Sequence, residues 1–425
     1  MRSVLEAKTK TAAEAVRLIK DGDRIYIGTC SSVAYGLLDA LWDRREELKG
    51  VVLAGGLLIN PAEAICDGYF ELVTYFIGPA ERKRMKHPGM DFTSVHLSQT
   101  DLWSRETARP NVAFFEVSPP DEEGYMSLSA GGVGVGTHIL EAAGTVILQI
   151  NKRAPYVYGE GNKIHVSEAD AIVHSDYELP GAPEAPHDED IAKIADFLLE
   201  QIPDGACIQL GIGGIANAVG YRLRDKNDLG AHTEIMTDSI MELMKLGVLN
   251  NSRKNYLPGK AATGVAFGSG SLYDFLDHNE DVYFMPFSVL NDPVNISRND
   301  NMISINSAVS IDLFGQVSSE TIAGRQYSGT GGQLDYVKGA QMSSGGKSFI
   351  AVQSTTEKNV SRIVSAFPAG TIVTTPRSEA QYVVTEYGCV NLKPLCMRDR
   401  VRAMISLAHP DFRPMLTEEA KSLGI

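Results

Sequence analysis

The run LGAHTEIMTDSIMELMKLG, residues 229–247, places a carboxylate where it has no evident structural task. Glu234 follows His232 and Thr233 and precedes Ile235 and Met236. The pattern then turns helical: Ser239 and Glu242 have capping-box spacing, and Ile240, Leu243 and Met244 share one face. An acid upstream of that helix neither caps it nor has an i,i+4 partner. Such a residue is a candidate for carboxylate chemistry.

Three glycine turns could serve it. LGIGGIANAV, 210–219, sets Gly211, Gly213 and Gly214 between an expected strand and an expected helix. Glycines there allow positive φ and let a ligand approach backbone N–H groups at a helix start. The turn suits a carbonyl oxygen, a thioester or a phosphate; a plain tight turn is the structural alternative. A dinucleotide site is disfavoured, because Ala216 breaks the G-x-G-x-x-G spacing. SGTGGQLDY, 328–336, holds Gly329, Gly331 and Gly332. SSGGKS, 343–348, is no phosphate-binding loop: Gln341 stands where that motif needs glycine, and a strand pattern follows. The basic run ERKRMK, 81–86, reads as a solvated face, with phosphate binding as the alternative. Neither H-E-x-x-H nor G-x-S-x-G occurs.

The elements that position these residues repeat. AEAVRLIKDGDRIYIGTCSSVAYGLLDAL and IADFLLEQIPDGACIQLGIGGIANAVGYRL both read helix, Asp-Gly turn, strand, glycine, helix. The glycine of the turn precedes the strand-ending glycine by six residues in each, Gly22 to Gly28 and Gly205 to Gly211. This predicts two related α/β halves. The segment 174–190, rich in proline and acid, divides them into domains 1–185 and 186–425. VVLAGG, VAFFEVS and TVILQI serve as strands of the first half, and CIQLG, VYFMPF and SFIAVQS of the second. Continuous apolar strands of this kind predict mostly parallel open sheets covered on both faces. Ligands of such sheets sit beyond the carboxyl ends of strands, so the turns after Gly28 and Gly211 and the Glu234 segment are candidate site walls.

Composition bounds the function. A chain of 425 residues, 44% hydrophobic and 22% charged, has ample material for globular cores. A net charge of −14 argues against nucleic acid but allows a small anion in a local basic pocket. The five scattered cysteines form no C-x-x-C pair, which disfavours zinc or a disulfide framework and fits a reduced, cytoplasmic setting. No apolar run reaches the roughly 18 residues of a membrane span.

GPAERKRMKHPGMDFTSVHLS, VSPPDEEGYMSL, LGIGGIANAV, HTEIMTDSIMEL, GGQLDY, STTEKNVSRIV, VVTEYG and AHPDFRP cover most of the chain in order. Together they resemble the acetyl-CoA hydrolase/CoA-transferase family, most closely its 4-hydroxybutyrate and butyrate–acetate CoA-transferase branch. The resemblance implies two tandem CoA-transferase-type α/β domains, the second carrying the catalytic glutamate, here Glu234. It implies a CoA-thioester contact along Gln209, Leu210, Gly211, Ile212, Gly213 and Gly214. Asn291 and Gly332 match groups that hold the thioester carbonyl, and Val309 falls where the family meets CoA through backbone. Ala216 departs from the proline usual there; alanine is a good helix former, so no loss of function is expected. Coenzyme A would act as substrate and covalent intermediate, with no permanently bound cofactor and no metal. The partners implied are acyl-CoA and short-chain carboxylates such as 4-hydroxybutyrate, butyrate and acetate, with a homo-oligomer, dimer or larger, and neither nucleic acid nor membrane. Acyl-CoA hydrolysis through the same glutamate is the alternative; a nucleotide-binding oxidoreductase is a distant one.

Overall fold

All six apolar runs form strands. The computed structural model describes residues 2–181 and 188–424, so the expected boundary between 185 and 186 lies outside the described residues. The chain divides into two compact units. Met1–Pro183, Ile235–Asp238 and Ala262–Leu290 make the first; Glu184–Glu234, Ser239–Ala261 and Asn291–Ile425 make the second.

The first unit is built on β1 (Arg24–Thr29), β2 (Val52–Gly56), β3 (Glu71–Thr74), β4 (Met90–Phe92), β5 (Val112–Val117), β6 (Thr145–Asn151) and β7 (Ala171–Ser175). They lie in the order β7-β6-β5-β1-β2-β3-β4, all parallel. Helices α1 (Tyr35–Asp43) and α2 (Ser129–Ala142) belong to this unit. Leu37, Leu38 and Leu41 of α1 join Ile25, Ile27, Leu53 and Phe114 in its core.

Farther along the chain, α3 (Glu189–Leu199) precedes β8 (Cys207–Leu210), α4 (Gly214–Arg222), β9 (Gly230–Met236) and α5 (Asp238–Lys245), which belong to the second unit except for Ile235, Met236 and Asp238. Then come β10 (Met302–Ser307), α6 (Gln333–Met342), β11 (Lys347–Ala351), β12 (Tyr382–Thr385), β13 (Gly388–Asn391) and α7 (Met397–Leu407). The strand order is β13-β12-β11-β10-β8-β9, parallel except for the closing β12–β13 hairpin. The fold is mixed α/β with two largely parallel sheets, as the continuous apolar strands require.

The repeat is visible in hydrogen bonds. Asp21 Oδ1 accepts from Lys49 N at 2.8 Å while Gly22 N donates to Lys49 O at 2.8 Å. Asp204 Oδ1 accepts from Asn227 N at 2.8 Å while Gly205 N donates to Asn227 O at 2.9 Å. Gly22 and Gly205 both need positive φ, 78° and 76°. Each Asp-Gly turn thus clips the chain just before the next strand of its sheet.

Three expectations need correction. VYFMPF contributes Val282–Phe284 to the first unit, where Tyr283 pairs in parallel with Tyr158. The helix after Glu234 starts at Asp238, so Ser239 is already helical and not its cap. The basic run 81–86 is a solvated face only in part: Lys83 and Lys86 are exposed, but the helix turns two charged residues inward. Glu81 and Arg84 are fully buried: Glu81 accepts from Gly78 N at 2.9 Å and Leu58 N at 3.1 Å, and Arg84 Nη2 donates to Phe70 O at 3.0 Å.

Candidate active site

Both sheets have a switch point, where the strand order reverses around the first central strand: β1 with β5 in the first, β8 with β10 in the second. Ligands of open α/β sheets bind beyond the carboxyl ends there. The two glycine turns differ in what they leave open. After Gly28 the chain folds back at once, Gly28 opposite Val33 and Thr29 opposite Ser32, and every residue from 25 to 34 is buried. Gly131 of α2 then lies so close that a Cβ on it would sit 2.4 Å from Thr29 O. That turn is filled. The turn after β8 is open: Gly213, at φ 109°, has no heavy atom within 4 Å of where a Cβ would point, and Ile212 is 46% exposed.

Gln209, at the end of β8, exchanges two hydrogen bonds with Asn306 of β10, at 3.2 and 3.1 Å. Its amide is committed to tying the strands, and Gly211 N donates to Ile305 O at 3.0 Å, which leaves the N–H groups of Ile212 to Gly214 as the open part of this wall. Gly213 N-caps α4, and the N–H groups of a first helical turn lack intrahelical acceptors. Ala216 is buried in that turn and the helix forms with it.

Glu234 is the fifth residue of β9, half-buried between His232 and Thr233, which are fully buried, and the buried pair Ile235 and Met236. Thr233 Oγ1 donates to Leu210 O at 3.2 Å, fixing β9 beside the glycine turn. Asn291 Nδ2 donates to Glu234 Oε2 at 2.9 Å, and Asn291 is itself fully buried. Gly332 closes the group. A Cβ there would lie 1.7 Å from Glu234 Oε2 and 2.2 Å from Asn291 Nδ2, distances no side chain tolerates. Its φ of −101° is open to any residue, so space, not backbone freedom, demands glycine.

Gly332 also N-caps α6, whose first-turn N–H groups lack intrahelical acceptors. Burial pushes the Glu234 carboxyl up; the Asn291 hydrogen bond opposes this and the nearby Asp335 charge adds to it, leaving a value of about 7. A carboxyl of this kind is about half ionised near neutrality and lies in a water-poor environment.

Of the residues singled out in the sequence, Glu234, Asn291 and Gly332 meet, and Gln209 to Gly214 form the adjacent strand end and turn. Val309 bonds elsewhere: its N–H donates to Ser318 O at 2.9 Å, and its carbonyl accepts from Arg362 Nη1 at 3.5 Å. Glu386 is tied elsewhere, accepting from Ser354 N at 2.9 Å and from Ser354 Oγ. Asp335 escaped sequence reading. The acid in GGQLDY was visible, but its approach to Glu234 depends on α6 starting at Gly332.

Two α/β units, one presenting a desolvated carboxyl to an amide and a glycine helix start, describe an enzyme of the acyl-transfer class. Comparison with known proteins makes this specific. Residues 2–182 match the acetyl-CoA hydrolase/transferase N-terminal domain and residues 268–420 its C-terminal domain. The chain belongs to the acetyl-CoA hydrolase/transferase family. It is 38% identical to the butyryl-CoA:acetate CoA-transferase of Anaerostipes caccae, over 99% of this chain and 97% of that protein. It is 37% identical to the 4-hydroxybutyrate coenzyme A transferase of Clostridium kluyveri, over 98% of both. The crystal structure of RipA from Yersinia pestis superposes with a TM-score of 0.94 at 34% identity, over 100% of this chain and 99% of that one. The protein is a CoA-transferase. Among the described residues no helix is long and apolar enough to cross a membrane, and no cluster of three or more His, Cys, Asp or Glu could hold a metal.

Proposed function

We propose that the protein moves CoA between a short-chain acyl-CoA and a carboxylate acceptor, of the 4-hydroxybutyrate or butyrate-with-acetate type, through a thioester on Glu234. The observation that carries this reading is the contact of Glu234 Oε2 with Asn291 Nδ2 at 2.9 Å, against a Gly332 with no room for a side chain.

The carboxylate of Glu234 attacks the acyl-CoA carbonyl; the C–S bond breaks and CoA leaves as thiolate, giving an acyl-glutamyl anhydride. The thiolate attacks the glutamyl carbonyl and expels the acyl group as a carboxylate, giving a γ-glutamyl-CoA thioester. An incoming carboxylate runs the two steps in reverse. One thioester replaces another, so no external energy is needed, and the kinetics are ping-pong. Each step develops an oxyanion. Asn291 Nδ2 and the N–H groups at the start of α6 would receive it, and the N–H groups of Ile212 to Gly214 would serve the thioester. Val309 would meet CoA through its weakly held carbonyl. CoA enters as substrate and covalent intermediate, with no resident cofactor. The acidic chain, its scattered cysteines and the family resemblance support a cytoplasmic homo-oligomer acting on small molecules without nucleic acid or membrane, built from domains 1–185 and 186–425.

The thioester carbon is electrophilic in a way no resting carboxylate is. Borohydride added with acyl-CoA should reduce it to an alcohol and inactivate the enzyme, and peptide mass mapping should place the change at Glu234. Labelling at Glu386 instead, or full transfer activity in Glu234→Ala, would sink the assignment.

A further inference from the structure

One buried acid lies outside this chemistry. Glu116 is the fifth residue of β5, a strand buried at every position, and only 1% of it is exposed. Its Oε2 lies against the Tyr177 hydroxyl and accepts from Asn151 Nδ2 at 3.2 Å, while Oε1 is buried with no hydrogen-bond partner. The Tyr177 hydroxyl also accepts from Gln149 Nε2 at 2.6 Å and sits 3.1 Å from the carbonyl of Val33. These groups gather at the carboxyl ends of β1, β5 and β6, at the switch point of the first sheet.

Counting protons distinguishes two states. Tyr177 has one hydroxyl proton and two candidate acceptors, Glu116 Oε2 and Val33 O. Were Glu116 ionised, that proton would go to the carboxylate. Val33 O would lose this donor, and Oε1 would carry charge in a dry site with no partner, which is costly. With a proton on Oε2, Glu116 donates to the phenol oxygen and the phenol donates to Val33 O. The phenol oxygen then accepts from Glu116 and Gln149, which fills both lone pairs.

We infer that Glu116 is a protonated carboxylic acid that positions the turn 30–33 at the first unit's crevice through Tyr177, and that losing this proton releases the turn. The titratable groups beside it are Tyr177 itself and Tyr35 from α1, with Cys30 of the turn next to Tyr35; none of them supplies a positive charge. Burial, opposed by the Tyr177 and Asn151 hydrogen bonds, pushes the Glu116 carboxyl up to about 8. Burial and the neighbouring Glu116 push Tyr177 far above the usual phenol range, so Glu116 titrates first.

The test is hydrogen exchange on the full chain at about pH 6 and about pH 10, corrected for intrinsic exchange rates, in wild type, Glu116→Gln and Tyr177→Phe. Wild type should lose protection in peptides covering 30–37 at the higher pH, by up to about tenfold, the size of one buried hydrogen bond. Glu116→Gln should keep its protection across the range, and Tyr177→Phe should lack it at both. In wild type, a component of the protonated-carboxyl infrared band should fade around pH 8, and that component should be missing from Glu116→Gln; the wild-type exchange comparison stands even if a variant fails to fold. Because the folded value lies above the unfolded one, Glu116 contributes a fall in stability as pH rises from about 4.5 to about 8, and Glu116→Gln should show a shallower slope than wild type. Equal protection of the turn at both pH values in wild type, or no Glu116-dependent infrared band, would overturn the proposal.

Discussion

Two heavy-atom contacts on Glu234 decide the chemistry at the residue scale, and each predicts a different failure. Gly332→Ala places a carbon where Glu234 Oε2 and Asn291 Nδ2 now meet. Turnover should drop on the order of 10²–10³, the usual cost of losing an oxyanion donor, while circular dichroism stays unchanged. Near wild-type turnover would mean that Gly332 is only a turn. The pH profile tests the electrostatics. The nucleophile must be ionised, so kcat/KM should rise with pH through about 7. Asn291→Ala removes the hydrogen bond that lowers the Glu234 value, moving this limb to higher pH; Asp335→Asn removes a repelling charge and moves it lower. Shifts in the same direction would contradict this account. The raised value also implies that stability falls as pH rises from about 4.5 to about 7. Glu234→Gln should therefore melt higher than wild type above pH 7 and lose transfer, the trade expected of a strained site.

Elements explain why some of this was legible in sequence and some was not. Glu234 stands out because β9 is otherwise apolar from Ile235 onward, so a carboxylate there needs a reason. The Asp-Gly repeat was legible because each turn is a local structure whose Asp and Gly both have fixed jobs. Asn291, Val309 and Gly332 lie 57 to 98 residues from Glu234 along the chain. No periodicity connects them; family resemblance alone singled out Asn291 and Val309, and it gave a role to Gly332, which was already visible in a glycine turn. Burial of Glu81 and Arg84 was misread because a charge run gives no sign that one helix face turns inward. Val282–Phe284 falls in the first unit although it lies in the second half of the sequence, because strand patterning carries no information about which compact unit a strand packs in. Glu386 has a role at this scale. Its carboxylate takes Ser354 N and Oγ, joining the chain just beyond β11 to that just beyond β12. Glu386→Ala leaves a buried N–H unpaired and should cost about 1–3 kcal/mol in denaturant unfolding, yet leave borohydride labelling at Glu234 intact. Loss of labelling in a folded Glu386→Ala protein would give that acid a part in the chemistry.

For the whole molecule, what separates transfer from hydrolysis is which nucleophile reaches the glutamyl thioester. The chain presents a single Glu234, and the donors around it come from one β9 strand, one α6 start and one Asn291, so each chain should hold one CoA. Intact-protein mass after acyl-CoA without acceptor should thus show a single adduct per chain, the mass of CoA less one water. Its lifetime then measures water access. In a transferase the adduct persists, little free CoA is released, and adding acetate converts it to acetyl-CoA at a much higher rate. A matrix of several acyl-CoAs against several carboxylates, with free CoA followed in parallel, ranks acceptors by how fast each clears the adduct. Ping-pong kinetics require parallel double-reciprocal lines across that matrix, because donor and acceptor never occupy the site in one ternary step. Rapid CoA release that acetate leaves unchanged would mean that water, not a carboxylate, is the acceptor this site admits.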